Sequence, residues 1–117
     1  MTTVAVAGGY AKTQRRAVVS LAASGIVVAA VPGKMLKVYT FSLQSRSDNM
    51  TAQFTDGAGG TNLGHVWSFN AREGMVSPVS PPATFIFATS PGTALYAVLT
   101  GTGTVDVEVS YWADDAL

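Results

Sequence analysis

His65 is the only histidine in a chain of 117 residues that has no cysteine. A thiol nucleophile, an Fe–S cluster, a Cys-type zinc site and the usual multi-His metal sites are therefore excluded by composition. For His65 to act as a general base, Ser20, Ser42 or Ser68 would need to stand beside it with an acid partner to orient the ring. No motif supplies that acid, so His65 is expected to be a structural or interfacial polar residue. The pairs Asp48-Asn49 with Asp56, and Asp114-Asp115, offer oxygen ligands for a hard cation but lack the D-x-D-x-D spacing of a calcium loop. The run Asp56-Gly57-Ala58-Gly59-Gly60-Thr61-Asn62 is rich enough in glycine to approach a phosphate. It lacks the Gly-Lys-Ser/Thr ending of a P-loop, fails the G-x-G-x-x-G pattern and precedes no helix, so it reads as an inter-strand loop. No catalytic, cofactor or metal site is expected, and the chain is not expected to be an enzyme.

What remains is surface chemistry, and here composition is informative. Lys and Arg number 7, Asp and Glu number 7, and charged residues make up 12% of the chain against 48% hydrophobic. An average soluble domain carries about 25% charged residues. A surface so short of charge is expected to lose area to a membrane or to other subunits. The charges are also segregated. Lys12, Arg15, Arg16, Lys34, Lys37 and Arg46 precede residue 48 with no acid among them, whereas Asp48, Asp56, Glu73, Asp106, Glu108, Asp114 and Asp115 follow with Arg72 alone. Opposed potentials of this kind suit head-to-tail association of identical copies, or a basic arm lying on an acidic neighbour.

Arg15-Arg16 followed by the apolar run from Ala17 to Val31 superficially resembles a twin-arginine export signal. The run is broken by Ser24-Gly25, is rich in β-branched residues, and is shorter than the roughly 20 apolar residues that span a bilayer. Neither export nor a membrane segment is expected, and the sequon Asn49-Met50-Thr51 then carries no glycosylation meaning. Nucleic-acid binding would need aromatics interleaved with cations, and the N-terminal stretch offers only Tyr10 beside Lys12, Arg15 and Arg16.

The elements that must carry these residues are strands. Apolar positions do not recur at helical spacing over any window of a dozen residues, whereas period-two alternation recurs between turn signals. In Thr104 to Trp112, Val105, Val107, Val109 and Tyr111 share one face. Trp112 then falls on the other, which makes it a candidate for an interface or for stacking on a sugar. Met50, Ala52 and Phe54 alternate in the same way up to the Asp56-Gly57 turn. Further strands are expected at Arg16 to Ala22, Ile26 to Val31, Met35 to Gln44, Gly64 to Asn70, Gly74 to Ser77, Thr84 to Ala88 and Ala94 to Thr100. Leu36 and Val38 share one parity while Phe41 and Leu43 share the other, so a bulge or a crossing between sheets is expected near Tyr39 and Thr40. The segment from Pro78 to Pro82 reads as kinked. The expectation is one all-β domain over residues 16–117, an antiparallel β-sandwich or small barrel of about eight strands, preceded by an extended arm over residues 1–15.

The succession Ala30-Val31-Pro32-Gly33-Lys34-Met35-Leu36-Lys37-Val38-Tyr39, Ala52-Gln53-Phe54-Thr55-Asp56-Gly57, Ser90-Pro91-Gly92-Thr93-Ala94-Leu95-Tyr96 and Gly101-Thr102-Gly103-Thr104-Val105 leading to Ser110-Tyr111 resembles small β-sandwich proteins of tailed-bacteriophage virions. These are the capsid cement or decoration proteins and related head and tail appendage subunits. The resemblance spans about residues 16–112 and implies a jelly-roll-like fold, assembly as a homotrimer, and no catalytic residues.

Together these readings point to a structural protein made in the host cytoplasm and carried on the virion's capsid surface. It would bind the major capsid protein or another virion protein, with Tyr10, Lys12, Arg15, Arg16 and Trp112 as candidate interface residues. No cofactor, nucleic acid or membrane is implied. The alternatives are a tail, fibre or baseplate subunit, and a carbohydrate-binding module that stacks sugars on Trp112 and Trp67.

Overall fold

In the computed structural model, the described residues are the backbone of Ala5–Val6 and Gly9–Tyr10, then residues 14–77 and 85–115. They hold eleven strands and no helix. In chain order these are β1 (Ala5–Val6), β2 (Gly9–Tyr10), β3 (Arg15–Leu21), β4 (Gly25–Val28), β5 (Lys34–Ser45) and β6 (Met50–Asp56). They continue as β7 (Trp67–Phe69), β8 (Gly74–Val76), β9 (Phe87–Ala88), β10 (Leu95–Thr100) and β11 (Val105–Asp115). No helix among them is long and apolar enough to cross a membrane. The kinked reading of Pro78 to Pro82 lies outside the described residues.

The short strands β1 and β2 pair only with each other, Ala5 opposite Tyr10. The rest form two antiparallel sheets packed as a β-sandwich, as the alternation predicts. One has the order β4-β10-β6-β7; the other has the order β3-β11-β5-β8, with β9 also pairing with β5. Strands adjacent in sequence thus tend to lie in opposite sheets, and most of the pairing joins distant parts of the chain.

The core sits between the sheets and is built from alternate residues. Val105, Val107 and Val109 of β11 are buried, as are Met50, Ala52 and Phe54 of β6 and Leu95 and Ala97 of β10. At one end Phe41, Phe54, Trp67 and Phe87 form an aromatic cluster, with Phe41 and Phe54 meeting edge to face at 5.1 Å between centroids. Such rings contribute through both buried area and geometry.

The change of parity in β5 has its cause in a bulge at the expected place. Ser110 of β11 lies opposite Thr40 and Tyr111 opposite Val38, so Tyr39 has no partner in that ladder. The extra residue returns Leu36 and Val38 to the core face, from which Phe41 and Leu43 approach on the other parity. On its other side β5 is shared between β8, opposite residues 42–44, and β9, opposite residues 37–38. Ser77 fills the gap: its N–H donates to the Phe41 carbonyl at 2.9 Å, and its Oγ accepts from the Phe41 N–H at 2.8 Å. Both backbone groups of buried Phe41 are satisfied in this way.

Candidate assembly surfaces

Each sheet turns one face away from the core, and the two faces differ in chemistry. On the five-stranded sheet, cross-strand register sets Val18, Glu108, Ser42 and Val76 in one row, and Ser20, Asp106, Gln44 and Gly74 in the next. Arg16 and Ser110 begin a third row. Arg16 Nη2 bonds Glu108 Oε1 at 2.7 Å, and Arg46 Nε bonds Asp106 Oδ2 at 2.8 Å. Ser20 Oγ donates to Asp106 Oδ1. The Arg46 guanidinium first, and the Ser20 hydroxyl after it, hold the Asp106 carboxyl below its ordinary value, because both stabilise the ionised form. Glu108 raises the affinity of the Arg16 guanidinium for its proton by the same logic.

These pairs, with Lys37–Asp114 at 3.2 Å, join the cation-rich first half of the sequence to the acid-rich second half within one chain. The segregation that suggested head-to-tail docking is thereby partly consumed inside the fold. Strands β3 and β5 bring the cations, and β11 between them brings the acids. Between Val18, 68% exposed, and Val76, 76% exposed, the small side chain of Ser42 and the bare backbone of Gly74 leave a shallow depression of about 460 Å³.

The outer face of the four-stranded sheet is of another kind. Ile26, Tyr96 and Thr55 lie in one row, Val98 and Gln53 in the next, and Thr100, Thr51 and Ser68 in a third; Thr55 is itself buried, its hydroxyl donating to the Gly57 carbonyl, and adds no open surface. None of these side chains is ionisable near neutrality. In the whole sheet the only charged residue is Asp56 at the end of β6. Ile26 is 55% exposed, Thr51 and Thr100 bond each other through their hydroxyls, and Gln53 Nε2 donates to the Gly64 carbonyl at 3.1 Å. A face of threonine, glutamine, tyrosine and aliphatic groups loses little hydration energy when covered, in contrast to one that carries charge.

Trp112 corrects an expectation. The alternation does put it opposite the core side of β11, but it is 5% exposed rather than open. Past the bulge this face is covered: Trp112 lies opposite Lys37 in register, and Tyr39 packs on it at 5.2 Å between centroids. Phe85 lies over the Lys37 ammonium at 5.3 Å from the ring centroid. Lys37 itself is 4% exposed, its charge answered by Asp114. Alternation assigns a side, but what packs over that side, here Tyr39 on Trp112 and Phe85 on Lys37, decides whether it meets water. Trp112 is thus part of a small second core and not an open platform.

Of the other interface candidates, Arg15 begins β3 and is exposed, and Arg16 is exposed in its pair with Glu108. Tyr10 has its backbone in β2; its side chain, and the whole of Lys12, lie outside the described residues. His65 is exposed between β6 and β7. Asp48 Oδ1 accepts from the Ala71 N–H at 3.0 Å, and Asp56 Oδ1 from the Ser90 N–H at 2.8 Å, so both acids pin loops. No group of three His, Cys, Asp or Glu is placed to hold a metal ion among the described residues. The glycine-rich loop closes on itself, with the Asp56 N–H donating to the Thr61 carbonyl at 2.8 Å. A Cβ at Gly60 would fall 1.8 Å from the Asp56 carbonyl oxygen, which is why glycine stands there.

The uncharged face was missed in the sequence because its residues come from four separated segments. The signal was present as four strand segments almost free of charge, but their pairing was not. No family model, curated protein or solved structure matches the chain.

Proposed function

We propose that the chain is a non-enzymatic structural subunit, a cement or decoration protein of a tailed-bacteriophage capsid that binds the outer shell as an oligomer. The observation that carries this reading is the uncharged outer face of the four-stranded sheet. It is an uncharged surface on a chain whose other face keeps its charges in pairs. The strand order β3-β11-β5-β8 against β4-β10-β6-β7 supports the jelly-roll form implied by the resemblance in sequence. Its mechanism is adhesive: the uncharged face packs on shell subunits, many copies act together, and the homotrimer implied by the same resemblance multiplies the contacts.

A carbohydrate-binding module needs aromatic rings open to a sugar face. Trp112 is buried, and Trp67 packs at 5.4 Å from Phe41, so neither serves as that platform. Electron microscopy of virions that carry this chain tests the proposal. Density for the sandwich on the outer capsid surface, with the four-stranded sheet toward the shell, is the expected result. Density in the tail or fibre would favour the appendage reading, and absence from the particle would overturn both.

A further inference from the structure

Strand β3 ends the five-stranded sheet and pairs, among the described residues, with β11 alone. An edge of this kind presents unpaired backbone groups, and proteins usually blunt it by shortness, proline, a bulge, charged side chains or a covering segment. Of these β3 has, among the described residues, only the charges of Arg15 and Arg16, both at its first end, and from Ala17 to Leu21 it carries no charge, no proline and no bulge. It is seven residues long, RRAVVSL, and matches β11 without a register shift from Arg15 to Leu21. Its core-side residues Ala17, Val19 and Leu21 stay half exposed, whereas Val105, Val107 and Val109 beside them are buried. On its outer side Val18 is 68% exposed.

We propose that β3 pairs antiparallel with β3 of a second copy about a twofold axis at Val18, extending the sheet across both molecules. Opposed residues of an antiparallel pair point to the same side, so any self-pairing must match residues of equal parity. Of those registers, the one centred on Val18 overlaps all seven positions. It sets Val18 against Val18, Ala17 against Val19 and Arg16 against Ser20. The two open valines cover each other, and the half-exposed core residues gain neighbours.

Charge is compatible with the same arrangement. Antiparallel pairing sends the two Arg15-Arg16 pairs to opposite ends of the junction. Each Arg16 then shares a row with Ser20 and Asp106 of the other copy, Asp106 being two strands away, about 10 Å between Cα atoms. A carboxylate has about four acceptor positions. Arg46 and Ser20 occupy two on Asp106, leaving room for the incoming guanidinium, which would turn from Glu108 of its own chain to reach it. The inference stands apart from the shell reading, since it needs no capsid; if the subunits also form trimers, this contact joins one trimer to another.

The absence of cysteine makes a direct test possible. Val18→Cys, treated with a short bis-maleimide, is expected to give a covalent dimer. Arg16→Cys and Ser20→Cys are expected to cross-link with each other in a mixture more efficiently than either does alone. Val18→Lys, at an exposed position that leaves the β-sheet circular dichroism intact, sets like charges face to face and is expected to weaken self-association about tenfold or more. A folded Val18→Cys that gives no dimer, or Arg16→Cys linking to itself as well as Val18→Cys does, overturns the proposal. So does unchanged self-association of Val18→Lys. Loss of capsid binding with the Val18 cross-link intact would count against the shell reading alone.

Discussion

Val107 and Glu108 are neighbours on β11 with opposite fates, and the contrast measures how far one residue's environment decides its tolerance. Val107 is buried between Val105 and Val109, so Val107→Asp would place an unpaired charge in the core and is expected to abolish folding, seen as loss of the cooperative melt. Glu108 lies on the outer face, its carboxylate shared with an exposed Arg16. Glu108→Gln is expected to leave the melting temperature nearly unchanged, since exposed ion pairs contribute little. Asp106 links to pH. Its folded carboxyl titrates below its ordinary value, so the stabilisation is present above about pH 4, the unfolded value, and is lost as pH falls through the folded one. Denaturant titrations should find wild type more stable than Asp106→Asn at pH 6, with the gap closing toward pH 2. A gap that widens in acid would contradict the assigned sign.

At the scale of elements, deletions distinguish the bulge at Tyr39 from the paired positions of β5. Deleting Tyr39 would remove the extra residue and leave Thr40 opposite Ser110 and Val38 opposite Tyr111, so Leu36 and Val38 keep the core side, and it is expected to lower the melting temperature only through the lost contact with Trp112. Deleting Ser42, which has a partner in both β11 and β8, would instead turn Phe41, Val38 and Leu36 to the outer face and is expected to abolish the cooperative melt. This bulge was legible because a break in alternation between Val38 and Phe41 has few other physical causes. Strands β6 and β11 were legible for the same reason, each having one wet and one dry side. Less was readable where alternation is weak: the strand expected from Gly64 to Asn70 contracts to Trp67–Phe69, and that expected from Ile26 to Val31 ends at Val28. Trp112 shows the limit of parity, which names a side without saying what lies over it. The partner of each strand was not readable at all, since β3 meets β11 across more than eighty residues of chain and no local pattern encodes that choice.

For the whole molecule, the two outer faces differ in what covering them would cost: one keeps its charges paired, and the other carries none to desolvate. The core and the residues packed against it begin at Ala17 among those described. Deleting residues 1–14 is therefore expected to leave the melting temperature and circular dichroism of the free protein nearly unchanged while weakening incorporation into the particle. Full incorporation of the truncated chain would assign all adhesion to the sandwich. The central claim is that the uncharged face of the four-stranded sheet is the docking surface, and one comparison tests it most directly. Val98→Lys, in the middle of that face, and Ser110→Lys, on the charged face, are each mixed with capsids stripped of this chain, and the bound fraction is measured by sedimentation. With both variants folded, the account predicts that Val98→Lys loses binding while Ser110→Lys keeps it; equal binding by the two, or loss by Ser110→Lys alone, would contradict it.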